Sequence, residues 1–547
     1  MPTEFLQPVQ CAVAVGAIAL AYYLVPYLHD PYDYRHRFSG PWLAGFTGWW
    51  MSYAALAGDH SEIVRKQHEK YGTFVRLGPN HISVSDPDAL EAVYAHGSGL
   101  LKSDFYEGIG AGARSVFDTV DKADHLRRRK RIANIFSQQN ILAFEPRVRE
   151  HIIQLCAQWD LRCREAARGV SGVNWVAHDG YAVMDCCPQF SYLAFDIIGD
   201  LALGAPFGLI QAQKDSSPII ESVDAFGNVE KGTIQVPVIA TIAGFNQTLI
   251  SVGPFPLWTR KIIRLLPWNM SGFRDQFRFF KLAAAAVDAR LKRGPRATSY
   301  GKESTDFLDK LLQVRNEDGS GMPLDELYSE TFVFLAAGSD TSSNTLSSLC
   351  YYLAIHPEMQ RELQGELDQH IPFSPLESVD RHTGLVVPPN DIVPEYEKIK
   401  NLPYLNACVK EALRIHSTIG TGLPRVVPPG KTLTIAGQTF KAGSIISVPS
   451  YTTNRSGVWG SNASEFRPER WLDDNARSFN KYFVPFSLGP RSCIGRNLAY
   501  MDLLLITAAM FRRYSVKALP STKMTTHETF IREVAHCEVA IKHRKVV

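Results

Sequence analysis

Apolar and polar positions along the chain follow two periods, and the changes of period mark out its elements. From Cys11 to Leu28 there are 18 residues without a charge, about the minimum for spanning a bilayer. Tyr22, Tyr23 and Tyr27 gather near one end of this run and Arg35 and Arg37 follow it, the order of an interfacial belt and a cytosolic flank. A buried core helix and a cleaved leader are the other readings. Glu4 stands where a leader carries positive charge, and no small-residue cleavage site is evident. The pattern predicts an uncleaved anchor over 1–30, a hinge over 31–45 containing the Gly-Pro pair of SGPW (Ser39 to Trp42), and one body over 46–547.

Within that body, VRLGPNHISVSD (Val75 to Asp86) has two β-rich runs separated by Gly78, Pro79 and Asn80, which predicts a hairpin. KTLTIAGQTFKAGSIISVPSY (Lys431 to Tyr451) is a second β-rich region, and most of the remainder has helical periodicity. The fold class expected is mainly α with a minor β region, without internal repeats. Pro372 to Pro394 reads as a surface loop. Two helices stand out. Phe332 to Ala337 is apolar on all sides, as in a central buried helix, yet Gly338, Asp340 and Thr341 interrupt it. The other starts directly behind Cys493, with Ile494, Leu498, Met501, Leu505 and Ala508 at three- and four-residue steps.

Composition narrows the function classes. With 547 residues, 45% of them hydrophobic, the chain can bury a large core. Its 58 basic and 55 acidic residues leave a net charge of +3, which gives no electrostatic case for a nucleic-acid partner. Nine scattered cysteines, with only Cys186 and Cys187 adjacent, read as a reducing compartment. The sequons at Asn246, Asn269 and Asn462 are then expected to be unused. GIGAGA (Gly108 to Ala113) lacks the spacing and the strand-turn-helix setting of a phosphate cradle and reads as a flexible loop. With no nicotinamide motif, redox chemistry needs electrons from elsewhere.

The candidate chemistry begins in PFSLGPRSCIGRNLAYMDLLL (Pro485 to Leu505). Helix amides and the helix dipole behind Cys493 favour a thiolate, and Gly489 and Gly495 let the backbone pass close to something flat. A single thiolate in such a loop suits the fifth ligand of a haem iron, although a lone cysteine is more often a buried structural residue. In the central helix, Gly338 costs about 1 kcal/mol relative to alanine, and a buried Asp340 and Thr341 need partners. Either Thr341 bonds back to a carbonyl one turn earlier, or the turn opens to admit dioxygen and Asp340 and Thr341 manage its protons. Glu411 and Arg414 of KEALRIH lie one helical turn apart, and Arg470 of FRPERW would complete a buried network that fixes geometry.

AGSDTS (Ala337 to Ser342), Glu411 with Arg414, PERW (Pro468 to Trp471) and FSLGPRSCIG (Phe486 to Gly495) together resemble the haem-thiolate monooxygenases, the cytochromes P450, in order and spacing. That resemblance implies the P450 fold behind an N-terminal transmembrane helix, haem b as cofactor and Cys493 as axial ligand of its iron. It also implies O2 as co-substrate, electrons from NADPH through a separate cytochrome P450 reductase, and the endoplasmic reticulum membrane as location, with the body cytosolic. HLRRRKR (His125 to Arg131) looks like the family helix in which Arg129 pairs with a haem propionate, with His125 standing where many members have tryptophan. Arg425 and Arg491 resemble the other propionate contacts, and the rest of the arginine run is expected on a surface facing an acidic reductase.

HGSGLLKSDFYE (His96 to Glu107), YLAFDIIGDLALGAPFG (Tyr192 to Gly208), RIHSTIGTGLPR (Arg414 to Arg425) and VPSYTTNRS (Val448 to Ser456) resemble the fungal benzoate 4-monooxygenases. This narrower likeness implies para-hydroxylation of benzoate or a related aromatic acid. Arg114 would then be the cationic anchor, with Ser417, Thr418 and Thr421 as neutral donors. The chain departs from that group in its longer 372–394 loop and in the stretch from Gln211 to Trp258. Those departures point to the alternative substrate class, a larger polyketide or terpenoid of fungal secondary metabolism. Two further readings are weighed: an enzyme on the same scaffold that rearranges an oxygenated substrate, and a non-catalytic haem sensor or electron carrier. Asp340 and Thr341 argue against both.

Overall fold

A computed structural model describes residues 3–107, 112–223, 229–294, 296–297, 303–316, 319–371, 378–379, 386–387 and 392–544. Most of the Gly108 to Ala113 loop and most of the 372–394 loop lie outside the described residues. The end of the latter, Ile392 and Val393, is buried rather than on the surface.

The helices that position the site are α1 (Thr3–His29), α2 (His60–Tyr71), α3 (Lys122–Ile132), α4 (Cys187–Leu203), α5 (Val238–Val252), α6 (Leu257–Ile263), α7 (Leu324–Ile355), α8 (Pro403–His416) and α9 (Arg496–Arg513). α7 runs through the middle for 32 residues and packs on α4, α8, α9 and the helix Pro267–Arg293. Its apolar side chains, among them Phe332, Leu335, Leu346 and Leu349, join one large core with those of α4, α8 and α9. Each such side chain, fully buried, contributes about 1.5–3 kcal/mol of transfer free energy. The helix is continuous through Gly338 to Thr341, so no turn is opened there. Gly338 has a packing reason: a Cβ at that position would lie 2.7 Å from Ile198 Cγ1 of α4.

The strands used below are β1 (Phe74–Gly78), β2 (His81–Val84), β3 (Leu101–Lys102), β4 (Arg425–Val426), β5 (Ile445–Ser447), β6 (Thr525–Glu528) and β7 (Arg532–His536). β1 and β2 form the expected hairpin, with Phe74 opposite Val84 and Gly78 opposite His81. The second β-rich region folds as a small hairpin, Leu433–Ile435 with Gln438–Phe440, followed by β5, which runs parallel to β2. The resulting sheet has the order β1-β2-β5-β4-β3. The stretch from Gln211 to Trp258 contains an antiparallel hairpin, Ser217–Val223 with Val229–Val236, and then α5.

At the N-terminus, Gln10–His29 of α1 is long and apolar enough to cross a membrane, with a mean hydropathy of 1.9 and none of it buried in the protein. The hinge expected over 31–45 is not a free joint. Tyr34 and Phe38 are buried against Phe440, and the Ser39 carbonyl accepts from the Arg76 amide at 3.0 Å. Burial of these aromatic rings holds the segment to the sheet. All nine cysteines are free thiols.

Candidate haem-thiolate site

The loop before α9 is shaped by its glycines and by one backbone bond. Gly489 sits at φ 68°, and a Cβ there would collide with the Tyr94 carbonyl oxygen at 2.3 Å, so this glycine answers to the neighbouring backbone and not to a flat ligand. The Cys493 amide donates to the Phe486 carbonyl at 2.8 Å and turns the sulfur outward from the loop. The sulfur is open to a solvent-sized sphere, yet burial still pushes its thiol up, against the Gly495 amide, Arg129 and Arg496. A Cβ on Gly495 would have only Cys493 Sγ, at 3.9 Å, within 4 Å. Amid the largely buried middle of α7, Ala337 is exposed and Thr341, one turn on, is half-buried, so that face of the helix borders open space.

A set of cations surrounds the loop. Arg129 of α3 donates to the Ser492 carbonyl at 2.8 Å. Arg491 donates to the carbonyls of Thr119 at 2.5 Å and Val120 at 2.9 Å. Arg425 bonds the Tyr106 hydroxyl at 3.1 Å, and the β3–β4 register sets it directly opposite Lys102. Lys102 is buried, with its ammonium over the rings of Tyr106 and Phe117 at 4.1 and 4.3 Å. Burial, with Arg425 and Arg491 beside it, pulls the Lys102 ammonium well below its ordinary value. Burial and the charges of Arg491, Lys102 and Arg129 push His125 down to about 3. Among the described residues none of these four cations is ion-paired. Asp118, the carboxylate that reaches Lys102, is already held by Ser115. Like charges opposed across a ladder destabilise a sheet, and buried cations without counter-charge are costly. The arrangement fits a dianion seated between them, which the two propionates of haem supply. Lys102 escaped the sequence reading because only the strand register brings it to Arg425.

The network behind the loop has the expected members. Glu411 accepts from Arg414 at 2.7 and 2.9 Å, from Arg470 Nε at 2.9 Å, from Trp471 Nε1 at 3.0 Å and from the Arg467 amide at 2.9 Å. Arg414 and Arg470 place their remaining donors on carbonyls, including those of Asn454, Ala463 and Trp459. Both oxygens of Glu411 and the nitrogens of both guanidiniums are thus used, and α8 is fastened to the segment leading to Cys493.

On α7, Thr341 Oγ1 donates to the Ala337 carbonyl at 2.8 Å, the back-bonded arrangement of a polar residue within a helix. Asp340 points away, toward α5 and β7. Its Oδ2 accepts from Asn246 at 3.3 Å, and burial pushes the carboxyl well above its ordinary value, with Glu533 and Asp215 adding to the shift. Asn344 ties the two elements together, donating to the Asp340 carbonyl at 2.7 Å and accepting from the Val534 amide at 2.6 Å. Glu533, next to that clamp, is raised to about 7 by burial, against the Thr529 hydroxyl at 3.0 Å. Nothing local in the sequence ties Glu533 to Asp340, some 190 positions earlier. Asn246 and Asn269 are buried and Asn462 accepts from Arg470, so the sequons are engaged within the fold.

The cytochrome P450 family model matches residues 43–536. The chain belongs to this family. It is 35% identical over 538 residues, 97% of this chain and 96% of the relative, to benzoate 4-monooxygenase bphA of Aspergillus niger. It is 27% identical over 514 residues, 92% of this chain and 89% of the relative, to a pisatin demethylase of Fusarium vanettenii. A crystal structure of a cytochrome P450, CYP102L1, superposes with a TM-score of 0.67 at 17% identity, covering 89% of this chain and 98% of that one, and so agrees in fold. The protein is a haem-binding P450 monooxygenase, an oxidoreductase that uses O2 and a redox partner. Haem bound at such a site supplies oxygen activation, with thiolate donation favouring cleavage of the O–O bond. Were haem seated beside this loop, Cys493 would be the residue to hold its iron, and Lys102, Arg129, Arg425 and Arg491 the residues to meet its propionates.

The expected substrate contacts of this P450 are mostly engaged elsewhere. Arg114 is exposed and paired with Glu107 at 3.2 Å, because a carboxylate seven residues upstream in the same loop reaches it. The Ser417 hydroxyl donates to the Arg414 carbonyl at 2.7 Å and accepts from Asn454 at 2.9 Å, which leaves it no proton for a ligand. Thr418 shares a bond with Thr345 of α7 at 3.0 Å. Thr421 is half-buried and lines a cavity that extends to α1. The arginine run also differs from expectation. Arg128 and Arg131 both turn inward to Glu326 of α7, at 3.2 and 2.8 Å, so Arg127 and Lys130 are the exposed cations of this run.

Proposed function

We propose that this P450 is a microsomal enzyme of the endoplasmic reticulum that takes electrons from NADPH through a separate reductase and hydroxylates benzoate, or a related small aromatic acid, at the para carbon. The observation that carries the reading is the 35% identity, over 97% of the chain, to a protein named benzoate 4-monooxygenase. Benzoate brings an anion into a dry pocket, where it needs donors, and its carboxylate must lie on the side away from Cys493 so that the para carbon faces the oxidant. Thr418 and Thr421 are the donors left for that role once Arg114 and Ser417 are engaged. Thr341, on the half-buried face of α7, delivers protons that Asp340, pointing toward α5 and β7, relays from that side, and the apolar helix α1 holds the body at the membrane.

Titration of the resting holoenzyme tests the substrate. Benzoate should shift the haem toward high spin, and benzamide, which lacks the charge, should bind more weakly. No spectral change with benzoate, alongside a clear one with larger neutral aromatics or terpenoid-like compounds, would replace this reading with oxidation of a bulkier substrate.

A further inference from the structure

Cys186 and Cys187, the adjacent pair that the haem chemistry does not use, stand where the strand Tyr181–Asp185 ends and α4 begins. Cys537 faces them, because Asp185 pairs with Glu538 across the sheet and the Cys186 amide donates to the Cys537 carbonyl at 3.0 Å. Cys350 belongs to α7. The Cys186 thiol interacts with those of Cys187, Cys350 and Cys537, so four of the nine cysteines converge in one buried place, outside the haem-thiolate site.

Asp185 borders the same place. One oxygen of its carboxylate and the sulfurs of Cys186 and Cys187 all lie within 4.8 Å of one another. Oδ1 accepts from the amides of Cys187 and Cys537, both at 3.0 Å, and Oδ2 faces His536 Nδ1 at 2.9 Å. These contacts fix the carboxylate and leave a lone pair on Oδ2 for a further partner. Cys537 is close enough for its charge to act on Cys187 as well, which puts its sulfur next in line as a ligand. Single buried thiols pack as small apolar groups, and a carboxylate held against two of them is no part of such packing. Asp185 is half-buried and His536 exposed, so an ion reaches the cluster from that side.

We propose that Asp185, Cys186, Cys187 and Cys537 form a structural zinc site that fastens the start of α4 to the segment leaving β7. Three thiolates and a carboxylate are a tetrahedral set for Zn²⁺, whereas Ca²⁺ and Mg²⁺ take oxygen ligands and Cu⁺ prefers sulfur throughout. With Zn–S bonds of about 2.3 Å the sulfurs of such a tetrahedron lie about 3.8 Å apart, so side-chain rotation by about 1 Å closes the set from its present spacing. Binding releases the three thiol protons to solvent. The positive end of the α4 dipole and the His536 imidazole offset part of the negative charge that remains. The assignment holds whichever substrate the haem site oxidises.

The test is the zinc content of the full-length holoenzyme, loaded with Zn²⁺ alone and dialysed against a weak chelator, with zinc K-edge X-ray absorption on the same sample. With haem in place, Cys493 does not compete for the metal. About one zinc per chain should be retained, with two or three sulfurs at about 2.3 Å and an oxygen at about 2.0–2.2 Å. Cys187→Ser should lower the retained zinc about tenfold or more at unchanged haem content, whereas Cys11→Ser, remote in α1, should retain it in full. If Cys187→Ser does not fold, the sulfur count on the wild type decides. Failure to retain zinc, a shell with fewer than two sulfurs, zinc kept in full by Cys187→Ser, or zinc lost from Cys11→Ser overturns the proposal.

Discussion

The hydroxyl of Thr341 already has an acceptor in the Ala337 carbonyl, so it can offer a lone pair to an incoming proton donor as readily as it can give its own proton. Thr341→Ala should leave haem content intact, because the hydroxyl holds no other element. It should also lower product formed per NADPH by about tenfold or more and raise peroxide, since positioned proton transfer is worth ~10²–10⁴ in rate. Product at the wild-type yield would remove Thr341 from the proton path. Glu533 adds a pH signature. Its carboxyl is raised from an ordinary 4.5 to about 7, so the folded protein holds this proton more tightly than the unfolded chain does. Its neutral form is favoured below about pH 7, and its ionisation weighs increasingly on the fold as pH rises from 4.5 to about 7. A protonated Glu533 facing Asp340 is a proton source that is lost through the same window. Product yield per NADPH should therefore fall as pH rises through about 7, and Glu533→Gln should flatten that part of the profile. A profile identical to wild type would leave Glu533 a structural residue.

At the scale of elements, the Glu411 cluster explains how an irregular loop can hold a sulfur in a fixed place. Removing Glu411 would leave Arg414 and Arg470 buried without their counter-charge, and breaking a buried pair in this way costs about 3–5 kcal/mol. Glu411→Ala should show that loss in denaturant unfolding together with reduced haem content, and a change below about 1 kcal/mol would contradict the network's role. This cluster was legible in the sequence because Glu411 and Arg414 lie one turn apart and PERW is compact. The β1–β2 hairpin was legible for a similar reason, a local turn of Gly78, Pro79 and Asn80. Of the two readings of the helix through Gly338, the back-bonded Thr341 is the one present, and the glycine serves a contact with Ile198 that periodicity does not reveal. The packing of the hinge segment was not legible, because the Gly-Pro signal is local, whereas Tyr34 and Phe38 find their partner in Phe440, some 400 residues away.

For the whole molecule, what remained illegible was pairing across distance: Lys102 opposite Arg425, Glu533 near Asp340, and Arg128 and Arg131 on Glu326. Each sets one element against another, and no single stretch of sequence carries it. The setting of Cys493 was legible because it is local: a loop that turns the sulfur outward, and a helix that starts three residues later. The account rests on that sulfur as the iron's axial ligand. The most direct test is the absorption spectrum of the reduced, carbon-monoxide-bound holoenzyme, compared with that of Cys493→His. The wild type should absorb at the long wavelength typical of thiolate ligation and the variant should lose that band while still binding haem through the Lys102, Arg129, Arg425 and Arg491 cradle. An unchanged band in the variant, or no such band in the wild type, would contradict it.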